Sequence, residues 1–368
     1  MRVMQIAYLW LYCCVCVCEC ECVCVCVVCS IFFVDAHNNA SEMAAGTLYR
    51  AAQLSRLTFL GTSAGCPTKQ RNVTSHVLTF SNGRQWMLDC GEATQHQMLH
   101  CPEVKGSRLD AILITHLHAD HVLGLPGLLA TLSMAGGRSE SQPLKVIGPT
   151  GLRRLIETIL ELTFSYLTFP IDYHELDPLE THELGPMFGP DTPELAAYPI
   201  KHAVPCLGYV ITESPPTPKI DAARAKALGV SGPLLGTLRR EGSVTIEGQL
   251  VHLEDVCHAA LPPRKVVLLG DTSDASSLHA AGQGCHTVVH EATLASGMED
   301  QAVANGHSTT NMAVDTALAL GASRLILTHI SPRYAVASPE ETTPAKSTDL
   351  VLLDEARNAA TARSSALE

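Results

Sequence analysis

From about residue 55 the chain alternates short apolar runs with turn-forming residues. LTFLGT (57–62), HVLTF (76–80) and WMLDCG (86–91) predict strands. LDAILITH (109–116) predicts a strand buried on both faces, and LKVIGP (144–149) another. LRRLIETILEL (152–162) places its apolar residues at helical spacing, and NMAVDTALALG (311–321) predicts a helix that stops at Gly321. VVLLGDT (266–272), HTVVHEAT (286–293) and SRLILTHI (323–330) predict three more strands. Residues 175–199, with several Pro and Gly, predict an elongated loop. Strands interspersed with helices imply an α/β (α+β) fold. Four of the strands run into THLHADH, GDT, HEAT and THI. One strand ending in polar residues is an ordinary turn. Four such ends, if gathered on one rim of a sheet, make a place for chemistry.

Residues 1–54 stand apart as a leader and linker. Nine of the fifteen cysteines fall between Cys13 and Cys29, in CCVCVCECECVCVCVVC. A signal peptide or anchor, a metal-binding tract and a translated TG repeat are the readings open for it, and the repeat fits the Cys-Val alternation best. Met43 would then be the truer start. The other six cysteines are scattered without paired spacing, as in a reducing compartment, so the expected location is intracellular rather than secreted. Cytoplasm, nucleus, chloroplast and mitochondrion all stay open. Past residue 34 no apolar run is long enough to cross a bilayer, so no stable membrane partner is expected.

The 368 residues carry a formal net charge of -12, which excludes a generally basic nucleic-acid coat but not a local basic patch. One such patch lies in residues 211–265, rich in Pro and Gly: Lys219, Arg224, Lys226, Arg239 and Arg240 stand against Asp221 alone within 219–240. Either a solvated surface helix or an inserted flexible arm would look like this.

His116, His118, Asp120 and His121 put four potential metal ligands within six residues. Imidazole and carboxylate are donors that Zn²⁺, Mn²⁺ and Fe²⁺ accept, and so many buried together would be costly without a cation. His116 and His118 can face one position while Asp120 and His121 turn toward a second. Two adjacent cations can hold a hydroxide and neutralise charge on phosphorus, a chemistry that suits phosphodiester, thioester or lactam hydrolysis.

HxHxDH resembles the signature of the metallo-β-lactamase superfamily, and the likeness runs from about residue 57 to 334. The resemblance implies an αββα sandwich with two Zn²⁺ (or Mn²⁺) on one edge. It implies His202 with His116 and His118 at one ion, His329 with Asp120 and His121 at the other, and Asp271 shared; His174 and His182 are rivals for His202. Pro67, Lys69, Arg71 and Asn72 resemble the PxKxRN loop of the tRNA 3′-endonucleases called RNase Z, short form. His290-Glu291-Ala292-Thr293 and Gly306-His307-Ser308-Thr309 resemble the HEAT and HST motifs of that family, with Glu291 orienting His307 as proton donor and Asp120 steering or deprotonating the attacking water. Ser231-Gly232-Pro233 resembles its Gly-Pro arm motif, and Ser331 and Arg333 lie in a matching strand end. Substrate contacts are thereby implied for Pro67, Lys69, Arg71, Asn72, Gly232, Pro233, Ser331 and Arg333. The family likeness implies a catalytic domain over 55–368, a tRNA-binding arm over 211–265, and a loosely matching tail over 336–368 in which STDLVLLDEA resembles a closing strand. It also implies precursor tRNA as substrate, trailer removal after the discriminator nucleotide, and a homodimer. A small-molecule phosphodiesterase or arylsulfatase-like hydrolase, and a non-catalytic tRNA-binding scaffold, are the alternatives.

Overall fold

The computed structural model describes residues 5–8, 29–32, 52–136, 138, 140–215, 219–258, 262–334 and 349–366. The strands of the first half are β1 Gln5–Tyr8, β2 Cys29–Phe32, β3 Leu54–Gly61, β4 Ser75–Phe80, β5 Gln85–Leu88, β6 Leu109–Leu113, β7 Leu144–Pro149 and β8 Ile171–Leu176. Those of the second are β9 His182–Gly185, β10 Glu194–Ile200, β11 Cys206–Thr212, β12 Ser243–Ile246, β13 Gln249–His252, β14 Lys265–Leu268, β15 Thr287–Glu291 and β16 Arg324–Thr328. The α-helices are α1 Thr94–Leu99, α2 Ala119–Val122, α3 Leu125–Ala135, α4 Leu152–Leu162, α5 Ala222–Ala227, α6 Pro233–Glu241, α7 His279–Gly282, α8 Glu299–Ala304, α9 Thr310–Ala319 and α10 Asp349–Ala366.

Two seven-stranded sheets form, in the orders β2-β3-β4-β5-β6-β7-β8 and β1-β16-β15-β14-β11-β10-β9. Period-two alternation explains how they stack. On β11, Leu207, Tyr209 and Ile211 join Leu57, Phe59, Trp86 and Leu113 of the other sheet in one apolar cluster between the sheets. Cys206 and Val210 point the other way, into a cluster with Val314 and Ala317 of α9 and Leu352 and Leu353 of α10. On the far side, Leu128 and Leu129 of α3 and Leu152 and Ile156 of α4 pack on Ile112 and Val146. The result is four layers, αββα.

β1 and β2, two pieces of the leader, pair with β16 and β3 at the outer edges; the remainder of the Cys-Val tract and the linker up to residue 51 lie outside the described residues. The structure corrects two sequence expectations. Residues 175–199 are not one long loop: β9 and β10 form an antiparallel pair there, and Gly185, Pro186, Gly189, Pro190 and Pro193 mark the connection between them. STDLVLLDEA is not a closing strand, because its residues from Asp349 onward begin α10. Leu352, Leu353, Ala356 and Ala360 recur at helical spacing and are buried, in a segment rich in good helix formers.

The insertion leaves β11 and returns at β14 between the paired residues Thr212 and Lys265. It carries α5, α6 and the β12–β13 hairpin around a small core of its own: Ala225, Val230, Leu238, Val251 and Val256. Its two stalks are joined by a pair in which the half-buried Arg264 donates to both oxygens of the buried Glu213, at 2.9 and 2.8 Å. Both partners also hold the start of β3. The Leu54 amide donates to Glu213, and Arg264 donates to the Leu54 carbonyl at 2.5 Å.

Candidate metal centre

The parallel strands β14, β15 and β16 are neighbours, so their carboxyl ends share one rim. Asp271, Glu291 and His329 emerge from those ends. Facing them, β6 delivers the His116–His121 segment, with α2 beginning immediately after His118. The turn before β11 supplies His202.

Donor atoms converge in two groups. His116, His118, His202 and Asp271 form one, and Asp120, His121 and His329 the other, each with donor atoms within 4.8 Å of one another. Asp271 lies between them: Oδ2 is 3.8 Å from His116 Nε2 and 3.3 Å from His329 Nε2, while Oδ1 is 3.3 Å from His121 Nε2. A third overlapping group adds His307 to Asp271 and His329. His118 Nδ1 stands 3.1 Å from His116 Nε2 and 3.2 Å from His202 Nε2, and His121 Nε2 is 3.3 Å from His329 Nε2. Ligands about 2.0–2.1 Å from a tetrahedral zinc are about 3.3 Å from each other. The spacing and the donor chemistry therefore fit divalent cations.

The second ring nitrogens fix the orientation. His121 Nδ1 meets Asp89 Oδ2 at 2.7 Å, His202 Nδ1 donates to the Gly306 carbonyl at 2.7 Å, and His329 Nδ1 meets Thr293 Oγ1 at 2.9 Å. Such partners set the tautomer and leave Nε2 for an ion. Asp120 Oδ2 accepts the Gly65 amide at 2.7 Å. Burial drives His116 well below the ordinary imidazole range. His121 goes the other way: burial opposes its charge, but Asp271 and Asp89 outweigh burial and hold a proton on the ring. Asp271 is pulled well below the carboxylate range, burial notwithstanding, by His329 and His121.

Beside this cluster, His307 Nδ1 meets Glu291 Oε1 at 3.0 Å. Burial works against the imidazolium, yet the Glu291 contact lifts its pKa to about 9. Glu291 is in turn held by the Thr272 amide at 2.6 Å and by the Thr293 hydroxyl. The rivals His174 and His182 take other partners: His174 pairs with Asp172 at 3.0 Å, and His182 bonds the Asp177 carbonyl at 2.9 Å.

A family profile described as anti-Pycsar protein Apyc1 matches residues 55–167. The chain is 42% identical to ribonuclease BN of Cronobacter sakazakii over 283 residues, which cover 76% of this chain and 90% of that protein. Ribonuclease BN of Proteus mirabilis is also 42% identical, over 290 residues covering 78% and 91%. The chain belongs to the ribonuclease BN family. Among solved structures it resembles human tRNase Z, short form, with a TM-score of 0.58 at 30% identity, over 75% of this chain and 93% of that one. YhfI of Bacillus subtilis, a metallo-β-lactamase fold protein, matches with a TM-score of 0.52 at 18% identity, covering 82% and 92% of the two chains. The architecture is that fold.

In this ribonuclease BN family member the loop after β3 divides its residues between two tasks. Pro67 and Lys69 are exposed. Arg71 and Asn72 are buried, and they brace the loop instead of presenting themselves to solvent: Arg71 Nη1 donates to Thr62 Oγ1 at 3.1 Å, and Asn72 Nδ2 to the Glu92 carbonyl at 2.8 Å. Gly232 (φ 54) and Pro233, the first residue of α6, are exposed on the insertion. Arg333 folds back on Ser331 Oγ at 3.2 Å. Sequence reasoning assigned no role to Asp89, Thr293 or Gly65. The signal for the first was an acidic residue directly after an apolar strand, in LDCGE.

Proposed function

We propose that this chain is a zinc-dependent endoribonuclease of the RNase Z short-form type, which removes the 3′ trailer of precursor tRNA by cutting after the discriminator nucleotide. The observation that carries the reading is the Glu291–His307 pair, an imidazole held 3.0 Å from a buried carboxylate beside a metal-donor cluster. His116, His118 and His202 would hold one ion, Asp120, His121 and His329 a second, and Asp271 both. When bound, such ions supply Lewis acidity at the phosphodiester and a more acidic water.

The rest falls to the protein. Asp120, anchored by the Gly65 amide, orients the attacking water and takes its proton. Water adds to phosphorus and the bond to the tRNA 3′-oxygen breaks. His307, bonded to Glu291 through Nδ1, gives the Nε2 proton to that oxygen. The products are a tRNA 3′-hydroxyl and a trailer 5′-phosphate. Pro67 and Lys69 contact the acceptor end, with Arg71 and Asn72 shaping the loop that carries them. Ser331 and Arg333 border the same rim. The insertion, through Gly232, Pro233 and its basic residues, grips the tRNA body by phosphate contacts. In this reading two copies of the chain associate as a homodimer.

The test is cleavage of 3′-extended precursor tRNA by the full chain, with Zn²⁺ or Mn²⁺ against chelator, mapping the cut and its end groups. A metal-dependent cut after the discriminator that leaves a 3′-hydroxyl is expected. A folded, metal-loaded protein that cleaves bis(p-nitrophenyl) phosphate but not the tRNA would overturn the assignment in favour of a small-molecule diesterase.

A further inference from the structure

The two segments that carry the Glu291–His307 pair run side by side behind the site. After β15 the chain passes through Leu294–Ser296, and it enters α9 through Ser308–Thr310. Leu294 and Thr309 form an isolated parallel bridge: the Leu294 amide donates to the Ser308 carbonyl at 3.3 Å, and the Thr310 amide to the Leu294 carbonyl at 3.1 Å. Ser296 Oγ and Thr310 Oγ1 are 2.7 Å apart. One carboxylate oxygen ties the two segments together. Glu355 Oε2, on α10, accepts the Ser296 amide at 2.9 Å and the Thr310 hydroxyl at 2.7 Å.

Glu355 is held there from both sides. Leu352, Leu353 and Ala356 are buried in the cluster under the second sheet, and farther along α10 Arg363 Nε bonds Asp315 Oδ1 of α9 at 2.9 Å. Ser296 lies five residues beyond Glu291, and Thr310 three beyond His307. A shift of either segment would change the separation of the pair itself.

We infer that Glu355 is a positioning residue for the Glu291–His307 pair, so that the C-terminal helix sets the geometry of proton delivery to the leaving oxygen. The inference rests on the proposed endonuclease reading. It predicts a dependence on the leaving group. A departing tRNA 3′-oxygen needs a proton, whereas a nitrophenolate leaves without one. A structural role alone, or damage to the metal donors, would treat both substrates alike.

The experiment compares the full-length, metal-loaded chain with Glu355→Ala, Glu355→Gln and Arg363→Ala on precursor tRNA and on bis(p-nitrophenyl) phosphate, with metal content measured for each. For Glu355→Ala, kcat on precursor tRNA should fall roughly tenfold to a hundredfold, as small misplacements of catalytic groups do. KM, metal content and cleavage of the nitrophenyl diester should stay near wild type. Glu355→Gln keeps an oxygen acceptor for both donors and should recover most of the lost kcat, while Arg363→Ala, which frees only the far end of α10, should lower kcat on tRNA less than Glu355→Ala does. An unchanged kcat on tRNA for Glu355→Ala, or an equal loss on both substrates, would overturn the inference while leaving the endonuclease reading intact. If the wild-type chain does not cut precursor tRNA, it is the reading that fails. If Glu355→Ala does not fold, Thr310→Val, which removes one donor, decides by the same kcat comparison.

Discussion

Gly306 positions His202 by what it lacks as well as by what it offers. Its carbonyl accepts from His202 Nδ1, and its backbone is left-handed at φ 75. A Cβ there would stand 2.5 Å from the Ala203 amide nitrogen and 2.9 Å from His202 Nδ1. Gly306→Ala should therefore push His202 out of line and lower metal affinity or activity by about 10–100-fold, the usual cost of losing such a support, as measured by metal analysis after dialysis. A different signature is expected of Glu291. His307 keeps its proton up to about 9 because of the Glu291 contact, so the acid form is lost only as pH rises through that value. Glu291→Gln removes the charge that raised the pKa, and the alkaline limb of kcat against pH should move to lower pH, toward the ordinary imidazole value. At this scale the dense HxHxDH run was legible because so many ligand-type side chains in an apolar context have few other uses. The inward turn of Arg71 and Asn72 was not, since only the folded loop decides which side chains face Thr62 and the Glu92 carbonyl.

Among the elements, β3 to β7 and β14 to β16 could be read from short apolar runs bounded by turn residues, and the helices α4 and α9 from their spacing, within the few residues by which ends vary. The hairpin of β9 and β10 was hidden by the Pro and Gly of its own connection. The tail was misread because a likeness of sequence was set above the buried Leu352, Leu353, Ala356 and Ala360 period. The insertion looked like a charged arm, yet its apolar residues close on each other in a small core of their own. That core makes it removable. Replacing residues 214–263 with a short Gly-containing turn keeps the Glu213–Arg264 pair at the root. The expected result is a KM for precursor tRNA raised roughly tenfold or more as phosphate contacts are lost, with bis(p-nitrophenyl) phosphate cleaved as before. Equal loss on both substrates would make the insertion a structural brace.

For the whole molecule, the metal-donor cluster lies between the halves of the sandwich, so cations there would join the two sheets. Ligand binding to the folded state alone stabilises it by about 2.7 kcal/mol per site at a free concentration a hundred times Kd. Chelation should lower the melting temperature, and re-addition of Zn²⁺ should restore it. Asp271 and Asp89 favour a proton on His121, and an ion taking that ring competes with it. Metal affinity should consequently weaken as pH falls, and calorimetry in buffers of different ionisation enthalpy should detect proton release on binding.

The bond from the Gly65 amide to Asp120 joins the loop of Lys69 to a metal donor. If filling the metal site steadies that loop, RNA affinity rises, and free-energy linkage then requires RNA to tighten metal binding by the same factor. Substrate would act as a partner in metal retention: enzyme occupied with tRNA should hold its ions against a chelator longer than enzyme at rest.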